Sequence, residues 1–267
     1  MKYILTLFFV AFGCISQAQE LFLVTEPASN VPTNSLCIGI GNFIGNQNNS
    51  SEIMYQTTPE ITYGLSKNIM VRVNTFLNNN TNDYGFKGAN LYTKYRFLSS
   101  DDINSHFRMA AFGKISTINA PVFQEAIDLN GNNSGFQLGV VATKLIHKTA
   151  LNASLSYEKA WNNSDTYQFP EAFSDSAISY SLSFGQLLSP KVYTSFKQTN
   201  INFMLEAIGQ TKTESGHSYL DLVPVLQLVV QSNSRIDFGY RKELISSVNR
   251  NVSNAFILNY KYTFYNL

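Results

Sequence analysis

Charge is scarce in this chain. Only 14% of its 267 residues are Asp, Glu, Lys or Arg, against roughly a quarter in an ordinary soluble domain. The 19 basic and 18 acidic residues almost cancel, to a net of +1. That balance excludes a nucleic-acid surface built on bulk positive charge, and it excludes an acidic disordered tail. Two cysteines are too few for a disulfide-stapled scaffold. A mean hydropathy of -0.09 excludes a bundle of membrane helices. Metal ligands are also lacking: His106, His147 and His217 have no second His or Cys at ligand spacing. No glycine-rich phosphate loop follows a strand and precedes a helix. Neither a metal nor a cofactor is expected. What the chain does have is apolar surface, with 44% hydrophobic and 13% aromatic residues.

The first eighteen residues read as a secretory signal peptide. Met1-Lys2 is a short positive start, Tyr3 to Gly13 is apolar, and Ser16-Gln17-Ala18 supplies small residues for cleavage after Ala18. Removing Lys2 leaves 18 bases against 18 acids. Gly13-Cys14 also touches on a lipoprotein signal, but Ala11 and Phe12 fit that pattern poorly. With Cys14 removed, Cys37 stands alone as a small buried or lumen-facing residue. After Ala18 no apolar run approaches the roughly 20 residues of a membrane helix. An exported chain of this kind is secreted, periplasmic, or inserted in an outer membrane through strands.

Period-two alternation dominates the rest, and helical periodicity is nearly absent. At the end of the chain Phe256, Leu258, Tyr260, Tyr262 and Phe264 share one strand face, and Asn259, Lys261 and Thr263 share the other. Likewise Ile178, Tyr180, Leu182 and Phe184 alternate with Ser179, Ser181, Ser183 and Gly185. Such segments predict about twelve strands, at 35–44, 52–65, 68–78, 87–98, 105–117, 135–147, 149–160, 176–188, 199–210, 218–231, 234–242 and 254–266. Long links rich in Asn, Ser and Gly (45–51, 79–86, 118–134, 161–175, 211–217, 243–253) alternate with mostly short ones, such as Ser66-Lys67 and Ser232-Asn233. The link 189–198 is the exception. Residues 19–34 hold Pro27 and Pro32, which break pairing, and read as a lead-in segment that can tuck into a lumen.

A soluble barrel or sandwich would bury the same apolar face. Three features favour lipid instead. The apolar face recurs on nearly every strand. Tyr and Phe recur near strand ends, as at Tyr63, Tyr95, Phe97, Tyr157 and Tyr219. The polar face carries Ser, Gly and Asn more than the Lys and Glu of a solvated surface. Over 35–267 the pattern resembles the small outer-membrane β-barrel proteins of Gram-negative bacteria, which are porin- or transporter-like. The resemblance implies an all-β fold, a closed antiparallel up-and-down transmembrane β-barrel of about 12 strands. It also implies residence in a Gram-negative outer membrane, contact with outer-membrane lipid, and insertion by the barrel-assembly machinery. That family ends on an alternating strand with a terminal aromatic residue. Here the chain stops at Tyr265-Asn266-Leu267, offset by one.

With the apolar face on lipid, the other face lines the interior. It carries Arg72, Lys94, Arg96, Arg108, Lys114, Arg235, Arg241 and Lys261, with Glu60, Glu158, Glu206, Asp221 and Asp237. Twelve strands about 4.8 Å apart and tilted about 40° give a backbone radius of about 12 Å. Long side chains narrow that bore or close it. One reading is that these charges pair and stiffen the wall. The other is a path for small polar solutes with weak anion preference, as rings of Arg and Lys produce. Loops 118–134 and 161–175 would then gate the outer mouth, and Trp161 would sit at the outer interface. The alternative role is a non-conducting barrel with a surface-binding or envelope-structural function. An enzyme is not expected: the only Ser–His pair of note, Ser215-Gly216-His217, falls in a loop with its order reversed relative to barrel lipases. No catalytic residue and no nucleic-acid partner are assigned.

Overall fold

The computed structural model describes residues 22–48, 52–81, 83–102, 105–190 and 198–267. The signal peptide, its cleavage site and Cys14 lie outside the described residues, as does most of the 189–198 link. Twelve strands form one closed barrel in which each strand pairs antiparallel with its sequence neighbours and β1 closes on β12. The first six are β1 Leu36–Gln47, β2 Ile53–Gly64, β3 Ile69–Asn78, β4 Gly85–Asp102, β5 Ser105–Ile118 and β6 Ser134–Ile146. The second six are β7 Thr149–Trp161, β8 Ser176–Ser189, β9 Thr199–Lys212, β10 Ser218–Val230, β11 Ser234–Ser246 and β12 Val252–Phe264. No helix occurs among the described residues.

Every predicted strand is present. The largest differences are at the ends of two strands: β4 runs to Asp102, and β11 runs to Ser246. The β4 extension is polar and charged (SSDD), and the β11 extension (ELIS) sets Leu244 and Ile245 next to each other, so apolar alternation gives no sign of either. They persist because a neighbour supplies a ladder, β5 for β4 and β10 for β11.

The alternation decides which side is out. On β7 every odd residue from Leu151 to Trp161 is exposed, while Asn152, Ser156, Glu158 and Ala160 are buried. Ile61, Leu182 and Phe256 are 54%, 64% and 66% exposed on the outside, whereas Thr62 and Lys94 inside are 0% exposed. A sheet with its large aliphatic side chains outward and its lysines inward is the reverse of a soluble barrel, and it matches a lipid-facing band. Trp161 is 41% exposed at the end of β7, its ring 6.2 Å from that of Phe136. Cys37 is buried on the inward face of β1.

Barrel closure has a local device. Lys261 of β12, Gly39 of β1 and Glu60 of β2 lie in one cross-strand row. Lys261 Nζ reaches Glu60 Oε1 at 2.6 Å, spanning the strand between them. Glycine permits this, because a Cβ on residue 39 would stand 2.8 Å from Glu60 Cγ and 3.0 Å from Lys261 Cγ. We expect Gly39→Leu to break this ion pair and lower barrel stability by about 1–3 kcal/mol. The urea midpoint of unfolding checks it, and an unchanged midpoint would mean the row does not pin the seam.

Candidate permeation path

Residues 22–34 enter the barrel and run through its short-turn half. They form no strand, so their backbone polar groups need partners from the wall. Glu206 of β9 provides the main one. Its carboxylate accepts the N–H groups of Leu23 at 2.8 Å, Val24 at 3.1 Å and Thr25 at 2.7 Å. Thr25 Oγ1 lies 2.8 Å from Ser183 Oγ, and the Ala28 N–H donates to Thr143 Oγ1 at 2.8 Å. Lys94 Nζ donates to the Pro27 carbonyl at 2.7 Å. Arg108 Nη1 donates to Ser29 Oγ at 3.0 Å. Glu26 points back at the wall, pairing with Arg72 and lying 3.6 Å from Lys94 Nζ. Phe22 packs on Ala150, Met204, Val223 and Val225, an apolar patch on the inside of the barrel.

Loop 118–134 enters from the opposite, long-loop end. Gln210 of β9 clamps it, with Oε1 accepting the Ile127 N–H and Nε2 donating to the Ile127 carbonyl, both at 2.9 Å. Gln56 and Asn90 donate to the carbonyls of Asn130 and Leu129. Ile127 and Leu129 are buried against Ala160 and Ala177. Between the loop and the inserted segment lies a cavity of about 400 Å³, lined by Glu26, Glu60, Arg72, Lys114, Asp128, Glu158, Arg241, Arg250 and Lys261 among others. Its size is that of an ordinary small-molecule site.

The charged residues singled out from the sequence fall into six groups. Arg72 and Lys94 hold Glu26, and Glu206 holds the backbone just before it. Arg108 lies near the short-turn rim with Asp101 at 3.0 Å, and half-buried Arg96 there donates to the Lys67 carbonyl. Arg235 pairs with Asp237 at 2.8 Å. Arg241 pairs with Asp221 at 2.6 Å toward the long-loop end. Lys261 pairs with Glu60 over Gly39, as described above. Lys114 bonds Asn130 Oδ1 at 2.9 Å, and Glu158 accepts from Gln137 and Gln210.

Several participants escaped the sequence reading. Glu26 was in a segment with no periodicity to assign it a direction. Arg250 was in a long link rich in Asn and Ser, yet it is buried, with Nη1 2.6 Å from Asp221 Oδ2 and its guanidinium 4.3 Å from the Tyr219 ring centre. Asp128 and Gln210 act through a loop whose inward turn no local pattern encodes. His217 Nδ1 pairs with Glu125 Oε1 at 2.9 Å, while Ser215 Oγ accepts the His217 backbone N–H at 3.3 Å. The imidazole is thus turned toward a carboxylate.

No family model matches the sequence, and no curated protein matches it. The fold is similar to that of an outer membrane channel from Pseudomonas putida F1, with a TM-score of 0.62 and 11% identity over 91% of this chain and 100% of that one. A KdgM porin aligns with a TM-score of 0.47 and 11% identity, covering 86% of this chain and 99% of that one. At 11% identity the first likeness is one of fold.

Proposed function

We propose that this chain is a Gram-negative outer-membrane channel for small polar solutes, held closed at rest by its own residues 22–34. The observation that carries this reading is the barrel itself: apolar outside, polar and ion-paired inside, around a cavity of about 400 Å³. The fold it shares with a solved outer membrane channel supports it. In this reading the long-loop end faces the cell exterior and the short-turn end faces the periplasm. The outer band meets outer-membrane lipid, the barrel-assembly machinery inserts the chain after cleavage near Ala18, and loops 118–134 and 161–175 border the outer mouth. Anion preference is weak, because Arg72, Arg235, Arg241 and Lys261 are all neutralised by carboxylates.

A second reading, a non-conducting barrel with a surface-binding or envelope-structural role, is favoured by the two insertions that fill the lumen from opposite ends. Planar-bilayer conductance separates the two. The channel reading expects discrete ohmic steps, rare in the wild type and frequent once residues 22–34 are loosened. Silence from a folded barrel in both states would leave the non-conducting role.

A further inference from the structure

One cross-strand row on the inner wall is built differently from the rest. Tyr92 of β4 stands opposite Lys114 of β5, Lys114 opposite Gln137 of β6, and Gln137 opposite Glu158 of β7. All four line the central cavity. The other bases on that cavity, Arg72, Arg241, Arg250 and Lys261, are each in an ion pair. Lys114 is not: among the described residues no carboxylate lies within 4.0 Å of its ammonium, which donates to the neutral Asn130 amide. Glu158 likewise has no cation within that distance among the described residues.

The two charges do not neutralise each other because Gln137 stands between them. Its Nε2 donates to Glu158 Oε1 at 2.7 Å and to Ser156 Oγ at 2.9 Å. Two strand spacings put their Cα atoms about 10 Å apart. A buried charge without a counter-charge is costly, and here the buried Glu158 carboxylate and the half-buried Lys114 ammonium, with Gln137 between them, face one cavity. Beside Lys114 the half-buried Phe112 ring lines the cavity, backed by the buried Tyr92 ring, with ring centres 5.8 Å apart.

We infer that this row is a binding site for a zwitterion with an apolar side chain, a free amino acid or a dipeptide. The solute's carboxylate meets Lys114, its ammonium meets Glu158, and its side chain lies on Phe112. A solute that is itself a dipole supplies both missing counter-charges at once, which neither a simple anion nor a sugar does. The inference rests on the channel reading, since it names the solute class for that path.

Calorimetric titration of the folded barrel with L-phenylalanine and phenylalanylglycine tests it, in the wild type and in Glu206→Gln, where the inserted segment is loosened. Saturable binding is expected, at least tenfold weaker for phenylacetate and phenethylamine, which carry one charge each. Lys114→Gln and Glu158→Gln should each weaken binding at least tenfold. The exchanged pair Lys114→Glu with Glu158→Lys should restore most of it, which a merely structural role would not do. Equal binding of phenylacetate and phenylalanine, or no binding in either background, would overturn the inference. Conductance without binding removes this site and leaves the channel. Binding by a barrel that never conducts removes the channel and supports the site.

Discussion

Glu206→Gln should raise the conductance of the barrel sharply, on the order of 100-fold in the open population. Glu206 is 0% exposed, and its two oxygens hold three consecutive backbone N–H groups of the inserted segment. Hydrogen bonds to a charged acceptor contribute roughly 1.5–3 kcal/mol each. Glutamine keeps the shape but offers one neutral carbonyl oxygen, and its amide nitrogen faces N–H groups that cannot accept. A net loss of about 3 kcal/mol follows, and 1.4 kcal/mol is a factor of ten. The remaining anchors, Glu26 on Arg72 and Lys94 and the Ala28 bond to Thr143, keep the segment from leaving outright. The variant should therefore flicker between open and closed levels where the wild type stays closed. A conductance trace unchanged from wild type would mean that the segment is not what blocks the lumen, or that Glu206 does not hold it.

The same segment shows where sequence reasoning stops. The strands were legible because a half-buried strand repeats every two residues, and twelve independent segments gave the same answer. The direction of the faces was legible because the apolar face recurred on nearly every strand, with aromatics near strand ends, while the other face carried Ser, Gly and Asn more than the Lys and Glu of a solvated surface. Residues 22–34 have no period, since they bond to side chains of the wall and not to a ladder. One trace of them was available in β10. Leu222, Leu226 and Leu228 face outward, and Val223, Val225 and Val229 are buried inside. A strand apolar on both faces in a barrel with a polar lumen needs something apolar inside to cover it. Phe22 and Leu23 are that cover.

The mild positive surplus read from the strands has a similar origin. Counting strand residues alone omitted Glu26, Asp128 and Arg250, which arrive from an inserted segment and from two loops. It also omitted Glu60's pairing with Lys261, which needs the register of three strands to appear. Electrostatics in a filled barrel are set by what enters the lumen as much as by its wall. That makes selectivity sensitive to single pairs more than to the total charge.

Asp221→Asn is the sharpest instance. Asp221 is 0% exposed and neutralises two guanidinium groups, Arg241 through Nε at 2.6 Å and Arg250 through Nη1 at 2.6 Å and Nη2 at 2.9 Å. Arg250 has a second carboxylate in Glu243. Arg241 has none among the other carboxylates of the described residues. The variant therefore leaves a guanidinium uncompensated on the cavity wall, held only near the Tyr219 ring. Removing one partner of a buried ion pair costs about 3–5 kcal/mol. We expect a lower denaturation midpoint and, in channels opened by Glu206→Gln, a reversal potential in a KCl gradient shifted toward chloride. Arg241→Gln is the matched control. It removes one charge of the opposite sign but leaves Asp221 bridged to Arg250, so it should shift the potential toward potassium with little loss of stability. Opposite shifts of the two variants would place this cluster on the ion path. Identical reversal potentials, with stability still lost in Asp221→Asn, would make the cluster a strut beside the path.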